Sequence, residues 1–107
     1  MRKQYAQVLK TYFHNKLFRS RVELGITQEE MAGRLFMANR TYVDLDHGKT
    51  CCSALTLALF LVYISSDPME FLEGLRNAFE NEINLILRKY LRFRSIKRQF
   101  LKNQLLS

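Results

Sequence analysis

Apolar positions recur along this chain at spacings of three, four and seven, and no segment alternates apolar and polar residues over the length of a strand. The pattern predicts an all-α fold. A first helix is expected from about Gln4 to Leu24, with Phe13, Leu17 and Leu24 on one face and Gly25 just past its last turn. Thr27 as N-cap with Glu30 three residues on forms a capping box that starts a second helix. Met31, Ala32 and Leu35 form its apolar stripe, and it is expected to end near Phe36. A third helix is expected from Asn39, taken as its own N-cap, with Tyr42 and Leu45 pointing inward and Gly48 stopping it.

Ser53 caps a fourth helix running to about Ile64. It is apolar on nearly every side, which predicts burial on nearly every side. Asp67, Pro68 and Glu70 mark a fifth start as N-cap, first helical residue and box partner. Phe71, Leu72, Leu75 and Phe79 then line one side. Beyond Phe79 no breaker follows. Leu87, Tyr90, Leu91, Phe100 and Leu101 continue at near-helical spacing, so the helix either runs on or bends near Asn81 to Asn84. The chain divides into residues 1–79, a five-helix unit, and 80–107, a basic helical extension. Since helix four lacks charge from Ala54 to Ser66, residues 83–107 are expected to pack on helix four or five, in the same chain or across a dimer.

Charge sharpens this division. The net charge is +7 over 107 residues, but residues 1–21 hold six basic groups and no acid, 22–82 hold four basic and ten acidic, and 83–107 hold seven basic and no acid. Basic ends point to a polyanion, either nucleic acid or an anionic membrane surface; the plain alternative is a solvated basic face. Thr50 to Ser66, the longest uncharged stretch, is short for a membrane span, and no signal peptide is visible. Cys51 and Cys52 are neighbours, unsuited to stapling a fold, and read as reduced thiols in a cytoplasmic protein. With His47 they lack a fourth ligand at workable spacing, so no metal is expected. His14 stands alone in helix one. No paired carboxylates, Ser/His/Asp set or Gly-rich phosphate loop occurs, so neither an enzyme nor a cofactor is expected.

Between Thr27 and Gly48 the pattern is two short helices joined by a tight turn, the arrangement of a helix-turn-helix. The run RVELGITQEEMAGRLFMANRTYVDLDHGKTCCSALTL resembles the XRE-type, phage-repressor-like helix-turn-helix domain, over roughly residues 13–76. The likeness lies in Arg21 four before Gly25, Gly25-Ile26-Thr27-Gln28, Ala32, Leu35, Leu45, Asp46, Gly48-Lys49 and Thr56-Leu57. The resemblance implies a sequence-specific regulator of double-stranded DNA, a homodimer on a palindromic operator. It implies a phosphate contact for Gln28, base contacts for Asn39, Arg40 and Thr41, and a phosphate contact for Lys49. Asp44 would read a cytosine amino group or reject a wrong register. Arg21 and Asp46 would form the pair that ties helix one to the end of helix three.

Three positions depart from the family pattern. Phe36 stands where a turn Gly is usual, which demands either negative φ or strain. Ala38 stands where a Ser N-cap is usual, which moves the cap to Asn39. Cys52 replaces a Pro. Asn39 is therefore read both as a base reader and as a cap, and Arg40 both as a base reader and as a surface charge. A reading from a different class is a protein-interaction module of the same fold, whose basic tail at 83–107 binds a protein partner or an anionic membrane surface.

Overall fold

The structure, a computed structural model, describes residues 1–106; Ser107, the last residue of the expected extension, lies outside the described residues. It is all-helical, with no strand among the described residues. The helices are α1 (Arg2–Leu24), α2 (Gln28–Arg34), α3 (Asn39–Asp46), α4 (Ala54–Leu59) and α5 (Pro68–Leu106), with a π-helical turn at Phe60–Ile64.

Local chemistry explains most of the boundaries. The Thr27 hydroxyl accepts from the Glu30 amide at 3.1 Å, the Ser53 hydroxyl from Thr56 at 3.2 Å, and the Asp67 carboxylate from Glu70 at 3.1 Å. Each satisfies an orphan donor of a first turn. Gly48, at φ 72°, takes the left-handed conformation that ends α3, and a Cβ there would press on the His14 ring at 3.2 Å. Alpha-4 does not run unbroken to Ile64. The Ser65 amide reaches back five residues to the Phe60 carbonyl at 2.8 Å and widens the last turn into a π-helical one.

The core joins all of these elements. Phe13 and Leu17 of α1 meet Met31 and Ala32 of α2, Leu35 of the turn after it, Tyr42 and Leu45 of α3, Phe60, and Phe71 and Leu75 of α5. Phe60 packs against Phe13 and Phe71 with ring centroids 5.2 and 5.5 Å apart. Such ring pairs add about 0.5–1.5 kcal/mol each beyond the area they bury. Tyr12 locks α1 to α5 by donating its hydroxyl to the Phe71 carbonyl at 2.8 Å. That approach requires Gly74, where a Cβ would collide with the Tyr12 hydroxyl.

Several expectations are corrected. Leu24 is exposed, not buried with Phe13 and Leu17. Alpha-2 ends at Arg34 and not at Phe36, since Leu35 and Phe36 already belong to the turn. Helix four is not buried all round: Leu55, Val62 and Tyr63 are about 70 % exposed (69 %, 69 % and 72 %). Among the described residues nothing covers them, because residues 83–106 do not fold back. Of the two courses left open beyond Phe79, the helix runs on: α5 continues as one helix of 39 residues and carries its second half away from the domain. The radius of gyration is 19.9 Å, against about 13 Å for a compact 100-residue domain. Packing of the extension onto helix four or five of the same chain is therefore excluded.

The turn between α2 and α3 takes the strained option. Phe36 has φ 56° and is 81 % exposed. A left-handed L-residue costs about 1–2 kcal/mol, and an exposed ring recovers little of it by burial. We predict that Phe36→Gly raises stability by about 0.5–1 kcal/mol, the relieved strain being partly offset by the greater backbone entropy that glycine loses on folding. Urea denaturation checks this; unchanged or lower stability would show that the Phe36 ring does more for the fold than its exposure implies.

Candidate nucleic-acid interface

Alpha-3 has two faces of different character. Tyr42, Leu45 and Asp46 are buried, whereas Asn39, Arg40 and Thr41 at its start are exposed and Asp44 is half-exposed. Lys49 follows, also exposed, with its amide on the Asp44 carbonyl at 2.9 Å. The expected cap shift does not occur. Ala38 occupies the N-cap position in extended conformation and supplies no side-chain bond, and Asn39 is the first helical residue. Its amide is therefore not spent on the helix end, which removes the capping half of the double reading of Asn39. The helix N-terminus is left with its donors uncapped.

What aims this helix is a carboxylate. Asp46 is only 3 % exposed and accepts from the Gln28 amide at 2.9 Å and from the Tyr42 hydroxyl at 3.1 Å. Arg21 Nε lies 3.5 Å from the same carboxylate, so the expected ion pair between α1 and α3 is present. It is long, and the Nε–H is not aligned to donate. The guanidinium is held instead by a bond from Nη1 to the Ile26 carbonyl at 3.4 Å and by the Phe18 ring, 5.4 Å away. One buried acid thus ties α1, α2 and α3 together.

Gln28 does not stand free. One of its two amide N–H groups is committed to Asp46, so a phosphate would have to take the other. Glu29 and Glu30 in the same first turn favour the α2 dipole but repel an anion nearby. The sequence reading treated Tyr42 as packing alone and missed its hydrogen bond. The signal was there: Tyr42 and Asp46 are four apart and share a helix face.

The other singled-out groups form no site. Among the described residues, no three His, Cys, Asp or Glu side chains come together as metal ligands. Burial, with the neighbouring Cys51 adding to it, pushes the Cys52 thiol up to about 12, so it stays protonated and a poor nucleophile. His14 packs its ring by Gly48, with Nδ1 buried and unpaired.

Removing the Asp46 carboxylate strands the Gln28 and Tyr42 donors and takes the counter-charge from Arg21, so Asp46→Ala should cost about 2–4 kcal/mol in chemical denaturation. A loss below about 0.5 kcal/mol, within the range of an ordinary surface change, would refute the hub. Tyr42 supplies a pH test. Burial first, then the charge of Asp46, raises its phenol well above the ordinary value of 10.0. The unfolded chain ionises first, so stability present below pH 10 falls as pH rises above it. Tyr42→Phe should flatten that alkaline fall; an identical pH profile in wild type and variant would contradict it.

Comparison with known proteins found no matching family model, no similar curated protein and no similar solved structure, so this geometry and the motifs along the chain carry the functional reading.

Proposed function

We propose that this chain is a sequence-specific double-stranded-DNA-binding transcriptional regulator of the phage-repressor-like helix-turn-helix type, cytoplasmic and non-catalytic, acting as a homodimer on a palindromic operator. The observation that carries this is the exposed start of α3: Asn39, Arg40 and Thr41 stand outward on a helix whose opposite face is fixed by Tyr42, Leu45 and Asp46. These side chains suit base edges, Asn pairing bidentately with adenine and Arg with guanine. The recognition helix of such a motif presents its N-terminal residues to the major groove. Lys49 and the free N–H of Gln28 supply phosphate contacts, and Asp44, one turn on, discriminates among bases. The basic α1 and tail add sequence-independent attraction.

A second reading, the protein-interaction module, has one observation in its favour. Phe36, Leu59, Tyr63 and Ile64 form an apolar patch beside Arg34, and Phe36 and Tyr63 are 81 % and 72 % exposed. Patches of this kind mark protein contacts. No helix among the described residues is long and apolar enough to cross a membrane.

Selection from a random DNA pool separates the two. The proposal expects enrichment of a palindromic motif with affinity that falls steeply with salt. Arg40→Ala should relax the preference at one position per half-site and cost about 1–3 kcal/mol. Gln28→Ala should weaken all sequences alike, and it should also lower the denaturation midpoint through Asp46. No enrichment from the pool would overturn the proposal in favour of the interaction module.

A further inference from the structure

Alpha-5 has a heptad seam that packs against Tyr5 at Phe79, its domain end, and is exposed from Tyr90 on among the described residues. Phe79, Ile83, Ile86, Tyr90, Phe93 and Phe100 follow one another at spacings of four, three, four, three and seven. Tyr90, Phe93 and Phe100 are 56 %, 66 % and 59 % exposed. At its domain end the seam opens into an apolar groove lined by Tyr5, Leu72, Leu75, Phe79 and Ile83, with Arg76 and Glu80 on its rim. The charges along α5 are polarised. Its first part, to Glu82, holds Glu70, Glu73, Glu80 and Glu82 against Arg76 alone, while residues 83–107 hold seven cations and no acid.

We propose that the occupant of this seam is α5 of a second copy, running antiparallel. In a parallel pair the positions flanking the seam would bring Lys89 of one copy against Arg94 of the other, and the acidic halves against each other. An antiparallel pair with Ile83 layered on Ile86 of the second copy brings Glu73 within about 3 Å of the level of Arg94 and Glu82 within about 3 Å of the level of Lys89, with Glu80 about 7.5 Å from the level of Arg94. The exposed Arg76–Glu80 pair at 3.1 Å is weak enough to be shared. Tyr90 and Phe93 of each tail then cover the groove of the other copy, an isologous two-fold contact. DNA or a lipid surface would match the cations of the tail but would leave the acids of the first half without a role.

The two-fold axis falls between Asn84 and Leu85, so the two Leu72 positions lie about 38 Å apart along the helix at 1.5 Å per residue. The inference rests on the dimer of the proposed function but not on DNA, and its test is run without DNA; its failure would leave operator binding to be judged by the selection experiment.

Sedimentation of the full chain should show a dimer that weakens as salt rises. K89E/R94E, and separately E73K/E80K/E82K, should each weaken it at least about tenfold, since like charges across an interface cost several kcal/mol. Mixing the two variants should restore a heterodimer, which misfolded chains would not form. Spin labels at Asn103→Cys, in a Cys51→Ser/Cys52→Ser background, should lie about 55 Å apart in the wild-type-charge dimer. A label distance under about 25 Å, as in parallel helices packed 8–10 Å apart, overturns the proposal. So does a monomer at every concentration tested, including one that partitions onto phosphatidylglycerol vesicles through its tail.

Discussion

The buried carboxylate of Asp46 is the constraint from which the rest of the domain takes its geometry. It sits at the last residue of α3, so whatever binds it sets the direction of that helix. Gln28 binds it from the start of α2, Tyr42 from within α3, and Arg21 stands by from α1. Taking a carboxylate out of water is costly unless its lone pairs are filled, and here two well-formed hydrogen bonds fill them while the cation contributes charge at longer range. Asp is one methylene shorter than Glu, which fits an arginine contact that is close enough to pair but too poorly aimed to donate.

This arrangement accounts for the division of labour along α3. One face is consumed by the core and the carboxylate, leaving the first turn with side chains that have no structural task. Ala38 adds to this by failing to cap, so Asn39 enters the helix with its amide uncommitted. The left-handed Phe36 that precedes it holds the turn tight at a cost in strain, and a Gly would do the same more cheaply. Phe36 and Tyr63 both stand exposed beside this turn.

Helix starts were legible because capping is local: Thr27, Ser53 and Asp67 each bond the amide three residues on, and the residues needed for that are adjacent in sequence. The core was largely legible for a similar reason, as Phe13, Leu17, Met31, Leu35 and Tyr42 all lie on stripes of helical period. What failed was inference about cover. Periodicity shows that Leu24, Leu55 and Val62 are apolar but not which element reaches them, and the extension expected to cover helix four projects away. The π-helical turn at Phe60 was invisible because an i→i+5 bond leaves no residue-type signature. Within the site, the Arg21–Asp46 pair followed from resemblance and not from spacing. The Gln28–Asp46 bond joins residues 18 apart on different helices, a pairing that helical period does not reveal.

The central claim is that the start of α3 meets DNA. Amide chemical-shift mapping on the full chain, titrated with the duplex selected from a random pool, tests it most directly. The account predicts that the largest shifts cluster at Ala38 to Asp44 and at Gln28 and Lys49. Shifts confined to the tail beyond Ile83 and to the patch around Phe36 and Tyr63 would contradict it, leaving α3 as part of a scaffold for a different contact.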